Sequence, residues 1–447
     1  MPPQHSAEES VPKPPTPALR PVRARLRRLP ALLAALAGLS GPGHAADPVS
    51  ANMLSHKFIM GYQGWFSCPG DPGADGAWGH WFDGGSPTVD MLPDMSEAAP
   101  GERCPTPLVT PGRQPIEVFS SRNPATVDRH FRWMREHGID GVALMRFGSV
   151  LQDPASRTAF DAVLQNVRHG AEANGRVFFV FYDISGLAVP ELGGIAEDWA
   201  RLLAAGVTRS PAYLHHRGHP LLGVWGFGLP DRDATPAAAA ALLARLRAES
   251  AAAGGVTLLG GVPAGWRTGS GDASPDAGWR AVYRSFAVLS PWSVGRYGDD
   301  ASADAFRRDV IVPDLAETKR LGIDYMPVVF PGFSWTHLMG VRHEAGPSPL
   351  NEIPRRCGRF LWRQVFDAVS AGADTLFGAM FDEVDEGTAM FKTAPTAAQS
   401  AAGFLTLDAD RCRLPSDWYL RLAGAAAEVL HGGRALSADL PYPIPGE

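Results

Sequence analysis

The stretch TLFGAMF, residues 375–381, is followed directly by DEVDEGT, residues 382–388. The apolar run predicts a buried β-strand. It ends in four carboxylates within five residues, Asp382, Glu383, Asp385 and Glu386. Crowding acids at the end of a buried strand costs free energy, because like charges repel strongly where water is partly excluded. Such crowding is typical of functional sites, and a solvated acidic turn is the simpler alternative.

The first 45 residues differ from the rest of this 447-residue chain. They hold six basic and two acidic residues, then the apolar run LPALLAALAGL at 29–39 and the small-residue sequence GHA at 43–45. This order predicts a secretory signal peptide over residues 1–45, cleaved after Ala45 or Ala46. The alternative is an uncleaved anchor. We therefore expect a secreted or periplasmic protein.

The charge of the chain argues against polyanionic partners. The whole chain carries −6, and residues 1–45 carry +4, so the remainder carries −10. An acidic surface disfavours nucleic acid and anionic membranes as partners and is compatible with neutral substrates. No later stretch is long and apolar enough for a membrane helix, so we expect no membrane insertion after signal cleavage.

Four cysteines follow the predicted signal peptide: Cys68, Cys104, Cys357 and Cys412. An even count in an exported chain permits two disulfides, with three possible pairings. Cys68 and Cys104 flank one long loop rich in Gly and Pro, and their pairing is the first expectation. No Cys-x-x-Cys spacing indicates zinc, and we expect no metal and no cofactor.

Apolar runs alternate with segments of helical spacing along most of the chain. Eight strands are predicted, at 56–66, 139–147, 177–182, 220–226, 256–261, 285–292, 323–330 and 375–381. Helices between them make consecutive strands parallel. The pattern predicts a single-domain α/β fold, a (β/α)8 TIM barrel over residues 46–433 with a long loop after the first strand, and a loose tail over 434–447. A doubly wound open sheet is the alternative, although no Gly-x-Gly-x-x-Gly follows the first strand.

Polar and aromatic side chains recur where the predicted strands end, which is the active-site face of such a barrel. Tryptophan and tyrosine rings stack on the apolar faces of sugars, while Asp, Arg and Gln bind hydroxyl groups. A single tryptophan is more often a core residue, but the recurrence favours a carbohydrate-binding mouth. The predicted substrate-binding residues are Tyr62, Gln63, Trp65, Arg146, Asp183, Trp225, Trp292, Tyr297, Trp335, Asp382 and Asp385.

Paired carboxylates in such a mouth indicate glycoside hydrolysis, which needs one protonated acid and a second carboxylate as nucleophile, base or helper. Glu383 and Glu386 are three residues apart and can face one cavity. Close negative neighbours raise one pKa and keep a proton near neutral pH. Asp382 and Asp385 either orient the pair or point into solvent. Retaining and inverting chemistry both stay open, because the spacing in sequence does not give the separation in space.

The pattern Glu383-x-x-Glu386-Gly387-Thr388 resembles that of glycoside hydrolase family 99, the endo-acting α-mannosidases, and is closer to their bacterial "99-like" relatives, some of which are labelled xylosidase/arabinosidase. Similar stretches are GYQGWF at 61–66, PDMSE at 93–97, SPWSVGRY at 290–297 and FPGFSW at 330–335. The resemblance implies a (β/α)8 barrel with no metal requirement. It also implies that Glu386 is the general acid/base and that Glu383 assists attack by the 2-hydroxyl of the substrate.

The chain departs from the mannosidase pattern around the glutamate pair. Asp382 stands where Asn is usual, and Val384 and Asp385 replace an aromatic residue and a His. These departures keep the carboxylate pair, but the identity of the sugar in the substrate stays open.

Two other functions compete with a secreted glycoside hydrolase acting on an oligosaccharide or polysaccharide. The first is a non-catalytic carbohydrate-binding barrel, which would not need the proton donor that the glutamate pair supplies. The second is a scaffold protein. Three weaker patterns are the tract HHRGH at 215–219 as a metal site, Asp71 and Asp75 as part of a calcium loop, and Ser334 with His337 as part of an esterase triad.

Overall fold

The computed structural model describes residues 47–342 and 348–446, and the predicted signal peptide lies outside the described residues. Within them, the central sheet contains nine parallel strands, and the short strand His215–His216 pairs antiparallel with the fourth. The parallel strands are β1 (Phe58–Tyr62), β2 (Gly141–Phe147), β3 (Val177–Asp183), β4 (His219–Trp225), β5 (Thr257–Pro263), β6 (Val288–Trp292), β7 (Asp324–Tyr325), β8 (Val328–Val329) and β9 (Leu376–Gly378).

The sheet curls back on itself. Its order is β7-β6-β5-β4-β3-β2-β1-β9-β8, so the strands at its two ends, β7 and β8, are neighbours in sequence, separated only by Met326 and Pro327. Pro327 has no N–H to donate, which interrupts the ladder, but its carbonyl accepts a hydrogen bond from Phe377 N at 3.0 Å. This confirms a TIM-barrel-like α/β fold, with the predicted seventh strand divided into two short strands.

Helices follow the strands as the periodicity predicts. In the first, Asn123 Oδ1 accepts from Ala125 N at 3.0 Å, and Gly138 ends the helix with φ of 75°. The α-helices are α1 (Pro124–His137), α2 (Pro154–Asn174), α3 (Gly193–Ala204), α4 (Pro236–Ser250), α5 (Trp279–Tyr283), α6 (Asp300–Phe306), α7 (Val312–Leu321), α8 (Thr336–Arg342), α9 (Arg359–Ser370) and α10 (Trp418–Leu430), with a π-helical segment (Arg307–Ile311) between α6 and α7.

The long loop between β1 and α1 is held by short hairpins and a disulfide. Phe82–Asp83 pairs with Ser86–Pro87, and Cys104–Val109 pairs with Pro115–Val118. The Cys68–Cys104 disulfide, with a Cα–Cα distance of 6.3 Å, confirms the expected pairing. Cys357 and Cys412 form a second disulfide. The loop is therefore an ordered wall beside the end of β1.

The amino end of the sheet is held by charged contacts. Asp140, at the start of β2, is 1% exposed and accepts from Phe58 N at 2.8 Å. His431 Nε2, just after α10, lies 3.0 Å from its other oxygen, and this contact raises the pKa of His431. A cavity of about 760 Å³ at this end is also lined by Lys57 and Arg176.

Residues 434–446 belong to the segment predicted as a loose tail, and they contact the rest of the protein. The Trp362 indole donates to Ser437 O at 3.0 Å, and Ile444 is buried. Among the helices of the described residues, we find none with the length and apolar character needed to cross a membrane.

Candidate active site

A cavity of about 310 Å³ lies where the parallel strands end at their carboxyl side. It brings together seven of the predicted site residues, which come from four different strand ends and the acidic loop (residues 382–388). The lining residues are Gln63, Trp65, Met145, Phe147, Asp183, Ser185, Trp225, Arg232, Trp292, Arg342, Met380, Glu383 and Glu386.

The backbone of the acidic loop is fixed on both sides. Phe381 N donates to Gly61 O at 2.7 Å, and Thr388 N donates to Glu383 O at 3.1 Å, which closes the loop into a turn. Gly387 has φ of 61°, and a Cβ there would lie 2.9 Å from Ser334 N. Glycine is therefore the residue that this turn accepts, because a side chain would be strained and would collide with the neighbouring backbone.

Glu383 is held by two hydrogen bonds. Gln63 Nε2 donates to Oε1 at 2.6 Å, and Thr388 Oγ1 donates to Oε2 at 2.7 Å. Burial raises the pKa of Glu383 well above its ordinary value, and the charges of Glu386 and Asp385 raise it further, while the two hydrogen bonds act in the opposite direction. Both oxygens are thus occupied by donors, which orients the carboxylate.

Glu386 is held through its backbone rather than its side chain. Its carbonyl accepts from Ser334 N at 2.9 Å, whereas its carboxyl group has no hydrogen bond among the described residues. Burial raises the pKa of Glu386 to about 7, the charges of Asp385 and Asp183 add to the increase, and Arg342 opposes it. Near neutral pH this group is therefore protonated in a large share of molecules, and it faces the cavity.

Asp382 and Asp385 lie outside the cavity. Asp382 accepts from Gln63 N at 2.8 Å and Gly64 N at 2.9 Å, so it fixes the chain just after β1. Burial raises the pKa of Asp382 to about 7. Asp385 is buried, and its Oδ2 lies 3.5 Å from His80 Nδ1. Their positions fit support of the pair rather than direct contact with a ligand.

Aromatic side chains line the same cavity as the glutamates. Trp225 and Trp292 meet edge to face, with centroids 5.5 Å apart. Asp183, beside Trp225 in the ladder, accepts from Ser185 N at 2.6 Å, and burial raises the pKa of this carboxyl group. Arg232 lies 5.4 Å from the centroid of the Trp225 ring. The cavity therefore combines apolar rings with hydrogen-bonding groups of both signs.

Four other predicted substrate-binding residues lie elsewhere, and for Arg146 and Tyr62 the reason is that side chains alternate along a strand. Met145 and Phe147 line the cavity, so Arg146 points outward, where it pairs with Asp198 at 2.6 Å. Tyr62 precedes the inward-facing Gln63 in the same way. The contacts of the outlying residues are Tyr62 Oη with His130 at 2.9 Å, Tyr297 Oη with Gln364 at 2.9 Å, and Trp335 Nε1 with Glu352 at 3.0 Å.

Six lining residues were not among the predictions. Met145 and Phe147 follow from alternation around Arg146, and Met380 precedes the acidic loop by two residues. Arg232 and Arg342 lie in segments that follow the fourth and seventh predicted strands. They could therefore have been predicted as site residues from their positions after strands. Ser185 follows Asp183 by two residues and supplies the backbone donor to it.

The weaker patterns have other contacts. His216 Nε2 lies 2.6 Å from Asp324, and within the described ranges no three His, Cys, Asp or Glu residues are grouped to hold a metal. Ser334 Oγ and His337 Nδ1 both bond to Asp90, at 2.5 and 2.6 Å. Serine and histidine thus share a carboxylate instead of contacting each other, which is not the arrangement of an activated serine.

Comparison with known proteins shows the fold. No family model matches this chain, and no curated protein matches it. It is similar to the solved structure of a GH99 endo-α-mannosidase from Bacteroides thetaiotaomicron in complex with bis-tris-propane, with a TM-score of 0.58, 17% identity, and coverage of 86% of this chain and 100% of that chain. A second structure of the Bacteroides thetaiotaomicron GH99 endo-α-mannosidase has a TM-score of 0.57 and 15% identity over 85% of this chain and 99% of that chain. The chain therefore has a GH99-like fold.

Proposed function

We propose that this protein is a glycoside hydrolase that cleaves glycosidic bonds in an oligosaccharide or polysaccharide, using a (β/α)8 barrel as its framework. One observation carries the proposal. Glu383 and Glu386 line the same cavity as three tryptophans, and their environments differ. A pair of carboxyl groups with different environments is what acid/base cleavage of a glycosidic bond requires.

The hydrogen bonds support different roles for the two groups, since burial raises the pKa of both. Glu386 has a carboxyl group without a protein hydrogen bond in the described part of the chain, so its proton is available to a leaving oxygen. Glu383 accepts from Gln63 and Thr388, and these donors favour the ionised form relative to an unbonded carboxyl group. Glu386 is thus the general acid, and Glu383 is the carboxylate that assists attack, through the 2-hydroxyl of the substrate as the resemblance to family 99 implies.

The substrate class follows from the cavity lining. Trp65, Trp225 and Trp292 supply apolar ring surface, while Gln63 and Asp183 supply hydrogen-bonding groups. This combination suits a neutral sugar. The GH99 relatives in the comparison are endo-α-mannosidases, which makes an α-mannoside the first candidate. The departures at Asp382, Val384 and Asp385 require that xylosides and arabinosides be tested beside it.

The compartment belongs to the same proposal. A secreted or periplasmic location is supported by the signal-like sequence before residue 46 and by the two disulfides, which persist in oxidising compartments. Fractionation of cells that express the full chain would test it, and protein found only in the reduced cytoplasm would contradict it.

The test of function is product release from α-mannan, xylan and arabinan oligosaccharides. Wild type is compared with Glu386→Gln and with Glu249→Gln, an isosteric control on the exposed face of α4. We expect wild type and the control to release product from one substrate class, and Glu386→Gln to lose about 10²–10⁴ in rate. Binding without release by wild type would support the carbohydrate-binding barrel instead.

A further inference from the structure

His80, in the long loop between β1 and α1, lies flat against Trp65. The two ring centroids are 4.0 Å apart and the planes differ by 2°. Trp65 lines the cavity, whereas His80 does not, and the His80 side chain is 40% exposed. Phe147 is a second aromatic neighbour of Trp65, at 5.2 Å between centroids. The Trp65 face that His80 covers is thus unavailable to a sugar, and the ring meets the cavity with its remaining surface.

The backbone sets this stack in place. Ser67 and Gly79 exchange two hydrogen bonds, at 3.1 and 3.0 Å, which brings the residue after Gly79 beside Trp65. Thr88 Oγ1 donates to His80 O at 2.6 Å. His80 has φ of 58°, a left-handed conformation that most side chains avoid and that Asn tolerates. The conformation is held by these contacts on both sides of the residue.

His80 also contacts the acidic loop. Its Nδ1 lies 3.5 Å from Asp385 Oδ2, and Asp385 is 3% exposed. The other oxygen, Oδ1, has no hydrogen-bond partner among the described residues. Asp385 lies in sequence between the two glutamates of the pair. A buried carboxylate with so few partners is stabilised by a nearby imidazole, which can carry the opposite charge.

We propose that His80 is a positioning residue for the proposed reaction: its ring holds Trp65 in the cavity wall, and its Nδ1 ties that stack to Asp385 of the acidic loop. The inference rests on the proposed function. It adds that the long loop is part of the site, because one side chain from that loop couples the sugar-facing ring to the segment that carries Glu383 and Glu386.

Two substitutions separate the two contacts. His80→Phe keeps a ring against Trp65 and removes the nitrogen that faces Asp385. His80→Asn removes the ring, suits the left-handed backbone, and keeps a polar group near Asp385. His169→Asn, at an exposed position of α2, is the matched control. For each variant, kcat and KM are measured on the oligosaccharide that wild type cleaves, and melting temperature is recorded to verify folding.

We expect His80→Asn to raise KM about three- to tenfold with kcat within about twofold, as loss of an aromatic contact predicts. His80→Phe regains the ring contact but lacks the contact with Asp385, so its KM is expected to lie between those of His80→Asn and wild type. Equal KM in all variants would overturn the proposal. A lower KM in His80→Asn would also overturn it, because His80 would then compete with the sugar for the Trp65 face.

A measurement without substrate separates this inference from the proposed function. Trp65 fluorescence is compared at one pH in wild type, His80→Asn, His80→Phe and Trp65→Phe, because a ring stacked on an indole shields it from water and changes its emission. Phe66 also packs against the His80 ring and is unchanged in all variants. We expect His80→Asn to shift the emission component that Trp65→Phe removes, and His80→Phe to leave that component as in wild type. An unchanged emission in His80→Asn would overturn the stack even if no oligosaccharide is cleaved.

Discussion

At the amino end of the sheet, the buried carboxylate of Asp140 accepts a hydrogen bond from a backbone N–H and lies beside the imidazole of His431. At the carboxyl end, by contrast, the carboxyl group of Glu386 has no hydrogen bond in the described residues. The amino end also has Lys57 and Arg176 in the cavity lining. The carboxyl end has four carboxyl groups, Asp183, Asp382, Glu383 and Glu386, with raised pKa values.

This difference separates groups that stabilise the fold from groups that stay available for chemistry. Pairing a buried carboxylate with donors lowers its free energy in the folded state. Leaving it without partners costs stability, and that cost is tolerated where the proton is used. The larger cavity lies at the amino end, so cavity size alone would have identified the wrong end as the reactive one. The charge environment distinguishes the two ends.

The largest expected effect is on turnover. Glu386→Gln at the carboxyl end should lower kcat by about 10³, because the amide cannot protonate the leaving oxygen. Asp140→Asn at the amino end should leave kcat per folded molecule within about twofold of wild type. Steady-state rates of both variants on the cleaved oligosaccharide check this, and a comparable loss in the two variants would remove the distinction between the ends.

The second effect is on stability and has the opposite pattern. Asp140→Asn should lower the free energy of unfolding by about 1–3 kcal/mol, because Lys57 and His431 lose the buried charge that faces them. Urea unfolding at pH 7, followed by circular dichroism, measures it. His169→Asn serves as the surface control and should differ from wild type by less than about 0.5 kcal/mol. An unchanged Asp140→Asn midpoint would contradict the stabilising role.

A smaller effect concerns the stability cost at the active end. The pKa of Glu386 is raised to about 7 in the folded state, against about 4.3 when unfolded, so the folded state binds more protons between these values and loses stability as pH rises through them. Glu386→Gln removes this loss. We expect the variant to exceed wild type by about 1–3 kcal/mol at pH 8 and to equal it at pH 4. A variant less stable than wild type at pH 8 would contradict the argument.

The smallest expected effect is on the pH dependence of kcat, and it concerns Asp385 in the acidic loop. After burial itself, the charge of Asp385 has the largest effect on the pKa of Glu386, and it raises that pKa. Asp385→Asn should therefore move the alkaline limb of the kcat profile to lower pH, by about 0.5–1 unit. Rates between pH 5 and 9 measure the shift, with Glu249→Gln as control. A limb that stays in place, or moves to higher pH, would show that Asp385 does not act through charge.

Much of the fold could be predicted from the sequence, because apolar periodicity indicates which face of an element is buried and cap residues mark where helices begin and end. Asn123, Pro124 and Gly138 are start and stop signals in the sequence, and they coincide with the bounds of α1. The last strand, predicted over 375–381, is shorter, Leu376–Gly378, although Phe381 N still bonds to Gly61 O. The division of the predicted seventh strand could not be predicted without knowing the order of strands in the sheet. Pro327 interrupts a ladder only where its missing N–H would face a neighbouring strand.

Part of the candidate site could be predicted from the sequence. Strand ends indicated which side of the sheet to examine, but the inward or outward direction of each side chain depends on register. Arg146 was assigned to the mouth because it ends a strand, and its neighbour Phe147 lines the cavity instead. The contact between His80 and Trp65 depends on a turn 15 residues further along the loop, which local patterns do not determine.

The most direct test of the central claim compares two leaving groups on the sugar that wild type cleaves. Kinetics of wild type and Glu386→Gln are measured on the natural oligosaccharide and on the dinitrophenyl glycoside of the same sugar, whose leaving group departs without protonation. We expect a loss of about 10³ on the oligosaccharide and less than about tenfold on the activated glycoside, because only the former needs a proton donor. An equal loss on both substrates, or none on either, would contradict the assignment of Glu386 as the general acid.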